Sequence, residues 1–270
     1  MKGKKMRYYV VSDIHGFYTE LHTALAEEGF FEDQGPKKLI VCGDMMDRGN
    51  ETLKLQDFMM DLFNKDQLIF VRGNHEDLLQ DYIMDYSDER EREVILWNGS
   101  HHNSNGTHHT ALSLALMTEV EAARNPEKYI SAITRSPFYK VLMRNTVDYY
   151  ETENYVFVHA FVPLKCVDGL PDHYTRNRKF AKDPDWRNAT PSAWRRARWG
   201  NPFDLAEKGF LPDKILVFGH WNASYGRNKY DGEPEFGSKA NFSPYYNYGY
   251  IAIDACTAYS GKVNCIVIED

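Results

Sequence analysis

Cysteine is scarce: four residues in 270, Cys42, Cys166, Cys256 and Cys265, with no CxxC pair among them. That spacing excludes a zinc ribbon and implies reduced, structural thiols, with Cys42 and Cys265 set among strand residues as small apolar fillers. Long hydrophobic runs are also missing. No stretch reaches the roughly 18 apolar residues of a membrane span, and the opening MKGKKMRYYVV is too short in apolar residues for a signal peptide. A cytoplasmic protein with no membrane partner is the expectation. Nor is there a basic excess, since 32 Lys and Arg against 39 Asp and Glu leave a net charge of −7. Nucleic acid is therefore a poor partner for the surface as a whole.

Hydrophobic residues make up 43% of the chain, enough to bury a substantial core, and the length fits a single domain over 1–270. Short runs rich in Val, Ile, Tyr and Phe recur: RYYVVSD, KLIVCGD, QLIFVRGN, YVFVHA, KILVFGH, YIAIDAC and VNCIVIED. Their composition and flanking turn residues predict strands. Helical spacing of Leu21, Ala24 and Leu25, and of Leu55, Phe58, Met59 and Leu62, predicts helices over 18–28 and 52–63. Strand and helix alternate here, which implies parallel strands with crossover helices in an α/β protein. A helical insertion is expected over about 77–136, broken at NGSHHNSNGTHH, with irregular loops at about 168–201 and 221–249.

The residues at the strand ends are more informative. The first strand ends in Asp13-Ile14-His15-Gly16, the second in Gly43-Asp44-Met45-Met46-Asp47-Arg48-Gly49, and the third in Arg72-Gly73-Asn74-His75-Glu76. Two later strands end in His159 and His220. Ligands bind outside the carboxyl ends of the strands in an open parallel sheet. A lone His at a strand end is more often structural, but five consecutive buried strands delivering Asp, His, Asp, Asn, His and His to one rim point to metal hydrolysis. Asp13 and His15, at i and i+2 of an extended segment, would reach one cation, and Asp44 would bridge two. Asn74, His159 and His220 would complete the second site. Oxygen and imidazole ligands without thiolate favour manganese, with iron or zinc as alternatives. Two such cations can generate a hydroxide and stabilise an in-line displacement.

SDIHG, GDMMDRG and GNHED, together with the later FVHA and FGHW, resemble the motifs of the calcineurin-like metallophosphoesterases, in particular the branch of Ser/Thr phosphoprotein phosphatases. The resemblance implies a central β-sandwich of mixed sheets flanked by helices, with the active site at the C-terminal ends of the strands. It implies Asp13, His15 and Asp44 at one metal, and Asp44, Asn74, His159 and His220 at the other. Arg48 would hold the phosphate, with Asn74 beside it, His75 would be the general acid and Asp47 the carboxylate that orients His75. A second phosphate-binding arginine is expected between His159 and His220, and Arg198 of WRRARWGNP is the preferred candidate over Arg195 and Arg196.

Departures from the family pattern bear on substrate. Phe161 replaces the usual Gly after His159-Ala160, and Trp221 comes directly after His220. NGSHHNSNGTHHT reads as a stretched form of the family's NGGxxT element. Its His101, His102, His108 and His109 suggest a polar exposed loop rather than a further metal site. Between Asp172 and Arg198, eight Lys or Arg against three Asp would draw in anionic substrates if the segment arches over the rim. The aromatics of 221–250 would mostly close the core. The expected activity is a phosphomonoesterase of the Ser/Thr phosphatase type, acting on a phosphorylated protein or small phosphorylated substrate through a hydroxide bridging two metal ions. The alternatives are a diadenosine polyphosphate hydrolase and a non-catalytic scaffold, which would be expected to have lost a ligand or the acid.

Overall fold

The strand Arg7–Val11 (β1) sends alternate side chains into two different cores. Tyr8 and Val10 point one way and Tyr9 and Val11 the other, so the run is apolar throughout, as a strand buried on both faces must be. The computed structural model describes residues 5–95, 99–167 and 179–270. The other strands are β2 (Lys37–Cys42), β3 (Leu68–Val71), β4 (Tyr150–Glu151), β5 (Tyr155–Phe157), β6 (Leu164–Cys166), β7 (Phe180–Lys182), β8 (Ile215–Phe218), β9 (Tyr245–Asn247), β10 (Tyr250–Ala252) and β11 (Ile266–Glu269). All seven runs expected to be strands are among them.

They form a four-stranded sheet in the order β11-β1-β2-β3 and a five-stranded sheet in the order β4-β5-β8-β10-β9, beside the hairpin β6-β7. β1, β2 and β3 are parallel, as are β5, β8 and β10, while β11, β4 and β9 join their neighbours antiparallel. Tyr8, Val10, Ile40, Cys42 and Val71 of the first sheet pack against Phe157, Val217 and Ile251 of the second. This is the interior of a sandwich, and each buried aliphatic there contributes about 1.5–3 kcal/mol.

Helices cover the outer faces. Helix Tyr18–Glu27 buries Leu21, Ala24 and Leu25, and Thr52–Asn64 buries Leu55, Met59 and Leu62, on the expected spacing. Both pack on the side of the first sheet that carries Tyr9, Val11, Leu39 and Val41. The helical insertion comprises Asn74–Ser87, Glu89–Ile95, His101–Asn105, Thr107–Ala115, Glu119–Arg124 and Pro126–Arg135. The His-rich segment is therefore helical, not an exposed loop. His102 and His108 are buried, with His108 Nδ1 2.7 Å from the Tyr82 hydroxyl and His102 Nε2 3.1 Å from Asp85. These partners on the helix Asn74–Ser87 offset part of the cost of burying the rings, while His102 Nδ1 and His108 Nε2 are buried without a hydrogen-bond partner.

The two segments expected to be irregular also contain regular structure, including the helices Pro191–Ala197 and Ala223–Asp231. Part of the basic stretch, 172–178, lies outside the described residues. Among its described cations, Arg187 pairs with Glu151 at 2.9 Å, Arg195 pairs with Asp81, and Arg198 is buried against two carboxylates. The charge of these three is neutralised within the fold rather than offered to a ligand. Among the described residues, no helix is long and apolar enough to cross a membrane.

Candidate metal centre

The parallel strands end together because their loops are stitched in register. The Asp13 N–H donates to the Gly43 carbonyl at 3.2 Å, His15 N–H to the Asp44 carbonyl at 3.0 Å, and Gly219 N–H to the His159 carbonyl at 2.8 Å. Asp13, His15, Asp44, Asn74, His159 and His220 thus gather at one rim. The segment after β1 is not extended, contrary to the i, i+2 expectation. Asp13 and His15 both have positive φ, at 50° and 53°, and the chain turns through them.

Asp44, Asp47, Arg48 and His220 share that conformation, so among the described residues six of the nine non-glycine residues with positive φ are expected site residues. Each such residue costs on the order of 1–3 kcal/mol and persists only where its surroundings hold it, a pattern typical of functional sites. Two glycines allow the approach. A Cβ at Gly73 would lie 2.2 Å from Asp44 Oδ1, and one at Gly219 2.0 Å from Asp13 Oδ2. Neither position admits a side chain without displacing an expected ligand.

Two groups of potential ligand atoms share Asp44: His15, Asp44 and His75 in one, Asp44, His159 and His220 in the other, each within 4.8 Å. Asp13 falls in neither, and its Oδ2 accepts the His220 backbone N–H at 2.9 Å. Tautomers follow from the partners. His15 Nδ1 faces the Met46 carbonyl at 3.0 Å and His159 Nδ1 the Cys42 carbonyl at 2.9 Å. A carbonyl can only accept, so both Nδ1 atoms carry hydrogen and both Nε2 atoms present lone pairs to the site. His159 Nε2 faces Asn74 Oδ1 at 2.6 Å, His220 Nδ1 at 3.2 Å and Asp44 Oδ1 at 3.5 Å.

Electrostatics favour a cation here. Burial, then Asp254 and Asp44, raise the Asp13 carboxyl well above its ordinary range. Burial also lifts Asp254 to about 6. Burial pushes Asp44 upward as well, but His159, His75, His15 and His220 outweigh it and hold the group low. The imidazoles of His15 and His159 are shifted down, chiefly by burial, and His220 falls to about 3 through burial and the neighbouring His159. Neutral imidazoles and crowded carboxylates without thiolate form a donor set that fits divalent transition metals.

His75 belongs to the first of the two ligand groups, and Asp47 and Arg48 lie against it. His75 Nδ1 donates to Asp47 Oδ2 at 2.7 Å, and its Nε2 lies 3.3 Å from an Arg48 guanidinium nitrogen. His75 Nε2 and His15 Nε2 are equally distant from Asp44 Oδ2, at 3.8 Å. Burial lowers the His75 pKa, but Asp44 and then Asp47 outweigh it and the net direction is upward. Arg48 is exposed. Arg198 is different: it is buried, with Nη1 2.9 Å from Asp77 and Nη2 on Asp148, so both terminal nitrogens are engaged by carboxylates.

Residues 6–252 match the family model for the calcineurin-like phosphoesterases. The chain belongs to that family.

Among curated proteins, this phosphoesterase is 39% identical over 77 residues to the asymmetrical bis(5'-nucleosyl)-tetraphosphatase PrpE of Geobacillus thermodenitrificans, covering 26% of this chain and 31% of that protein. It is 42% identical over 73 residues to serine/threonine-protein phosphatase 2 of Salmonella typhimurium, covering 27% and 31%. The chain thus spans about a third of the length of these curated relatives. The cold-active protein-tyrosine phosphatase of a Shewanella species shares the fold. Its crystal structure aligns over 100% of this chain and 78% of its own, at 14% identity and a TM-score of 0.51.

Three features of the phosphoesterase site are not evident from the sequence motifs. Glu76 is buried, and its carboxylate accepts the N–H groups of Gly73, Asp44 and Met45 at 2.7, 3.0 and 3.0 Å. It caps the helix Asn74–Ser87 and braces the Asp44 loop at once. Asp254 comes just after β10 and its charge is felt at Asp13, so YIAIDAC is a sixth strand that ends in a polar side chain near the site. Thr107 and Thr110, fully buried, contact Asp47 from the helical insertion, with nothing in their spacing to say so.

Proposed function

We propose that this phosphoesterase hydrolyses phosphate monoesters of the kind removed by Ser/Thr phosphatases, using two divalent metal ions, with manganese the first choice. The observation that carries this reading is the Asp47–His75–Arg48 constellation, whose His75 falls within one of two groups of potential ligand atoms that share Asp44. Asp13, His15 and Asp44 would hold one ion, and Asp44, Asn74, His159 and His220 the other. When bound, such ions supply Lewis-acid stabilisation of charge on phosphoryl oxygens and make water acidic enough to attack near neutral pH.

The protein residues supply the rest. Arg48 offers a planar fork to the phosphate oxygens and offsets charge that grows in the transition state, with the Asn74 amide beside it. His75, oriented by Asp47, delivers a proton from Nε2 to the departing oxygen. Asp44 and Asp47, three residues apart in one strained turn, link the two tasks mechanically. Arg198, through the network it forms with Asp77 and Asp148, would act on the phosphate only after releasing a carboxylate.

A second reading is hydrolysis of a dinucleoside polyphosphate. It is favoured by the PrpE name among the relatives and by Trp199, 38% exposed and 6.1 Å from the His220 ring, which offers a face for a nucleobase. Purified protein with added manganese should be assayed on phosphoserine and phosphothreonine peptides, 4-nitrophenyl phosphate and diadenosine tetraphosphate. Faster phosphate release from the peptides supports the first reading. Preferential cleavage of the dinucleotide supports the second, and no turnover of any of them rejects both.

A further inference from the structure

Asp47 and Arg48 are consecutive non-glycine residues with φ of 76° and 66°, a conformation that must be imposed from outside. The imposition comes from one turn of the helical insertion, Gly106–Thr110. Gly106, itself at φ 86°, backs onto Arg48 so tightly that a Cβ would lie 2.4 Å from the Arg48 nitrogen. Thr107 donates its hydroxyl to Asp47 Oδ2 at 2.8 Å, and the Asp47 N–H donates to Thr110 Oγ1 at 3.0 Å. Both threonines are fully buried, and His108 between them is tied to Tyr82, whose hydroxyl lies 2.9 Å from that of Tyr129. The turn therefore belongs to a rigid part of the helical layer.

We propose that Thr107 and Thr110 are positioning residues for proton delivery, a hydroxyl clamp that fixes the Asp47 carboxylate so that it holds His75 in register with the departing oxygen. The proposal rests on the reading of His75 as the general acid. Oδ2 of Asp47 receives two donors, Thr107 Oγ1 and His75 Nδ1. A carboxylate oxygen accepting both from fixed directions cannot rotate without losing one of them. If Thr107 is removed, that oxygen keeps only the imidazole and the carboxylate gains a torsional freedom that it passes to His75. Thr110 acts one step back, on the main chain that carries the carboxylate. The His-rich helix pair is thus the outer layer of the acid rather than a ligand site.

The clamp should matter most when the leaving oxygen needs a proton. Turnover of phenyl phosphate and 4-nitrophenyl phosphate should be compared for wild type, Thr107→Val, Thr107→Ser, Thr110→Val and His75→Ala, with manganese added and bound metal counted by mass spectrometry. Thr107→Val should lose roughly tenfold in kcat on the phenyl ester, as expected for one charge-assisted hydrogen bond, and less than about threefold on the nitrophenyl ester. Thr107→Ser should restore both rates, metal content should not change, and Thr110→Val should show the same selective loss if Thr107→Val does not fold. An equal loss on both esters, or no loss on either, with His75→Ala still sensitive to the leaving group, overturns the clamp alone. If His75→Ala turns over both esters like wild type, the assignment of the acid itself fails.

Discussion

His75 Nδ1 and Asp47 Oδ2 are 2.7 Å apart, and both residues are almost wholly buried. The carboxylate stabilises the imidazolium, so Asp47 works together with Asp44 to raise the His75 pKa against burial. An acid with a raised pKa stays protonated to higher pH, and activity is lost as pH rises through that value. Replacing Asp47 by Asn withdraws a negative charge, so His75 gives up its proton earlier. In Asp47→Asn the alkaline limb of kcat/KM is expected to move to lower pH, with kcat reduced by about 10–100-fold. A pH–rate profile that keeps its alkaline limb in place would contradict this coupling.

Asp44 is shared by both ligand groups, which makes it the residue whose loss should empty both positions. Asp44→Asn keeps the size and the left-handed turn tolerated by Asn, but removes the charge that His15, His159 and His220 surround. Metal analysis of this variant should find fewer than two ions per chain, and manganese-dependent turnover should fall by at least about 10²-fold, the scale of losing charge stabilisation at the reacting centre. Two retained ions would argue that another carboxylate, Asp13 or Asp254, does the bridging.

The strand ends are legible in the sequence because a strand buried on both faces reads as an unbroken apolar run, and the residue type just beyond it stands out. SDIHG, GDMMDRG and GNHE can therefore be aligned on one rim from their order alone. Asp254 carries the same signal at the end of β10, without the neighbouring His or Asn that makes the others conspicuous. The contacts of Glu76 and of Thr107 and Thr110 are not legible. Glu76 reaches Met45 across 31 residues of chain and Thr107 reaches Asp47 across 60, and nothing in local spacing encodes which loop a buried carboxylate or hydroxyl will meet. The His-rich segment misleads for a related reason: its polarity suggests exposure, but Tyr82 and Asp85 on another helix each give His108 and His102 one partner inside the fold.

Glu76 couples the helix start to the ligand loop through three N–H groups, two of them on one oxygen, Oε2. Glutamine is nearly isosteric, but its amide nitrogen must face either one or two of those donors. Glu76→Gln is expected to lose about 1–3 kcal/mol of stability, the cost of a buried unsatisfied donor. Urea denaturation would measure this, and manganese titration should show weaker binding because Asp44 is no longer braced. Unchanged stability together with unchanged metal affinity would show that the capping carboxylate is dispensable.

Arg198 tests whether a basic residue near the site serves the substrate or the scaffold. Its side chain is 6% exposed, Nη1 pairs with Asp77 at 2.9 Å and Nη2 with Asp148, while Asp77 is also held by Arg72 at 2.7 Å. Removing one partner of a buried pair leaves an uncompensated charge, at a cost of about 3–5 kcal/mol. Here Arg72 still accompanies Asp77, and Asp148 is 39% exposed to screening water, so the lower end applies. Arg198→Ala is therefore expected to lose roughly 3 kcal/mol in denaturant unfolding, and its KM for an aryl phosphate should change less than about threefold, since no phosphate contact is removed. Adding Asp77→Ala to Arg198→Ala should deepen the loss rather than recover it, because it also removes the carboxylate that holds Arg72 at 2.7 Å. A large rise in KM with full stability would instead place the guanidinium on the phosphate during turnover.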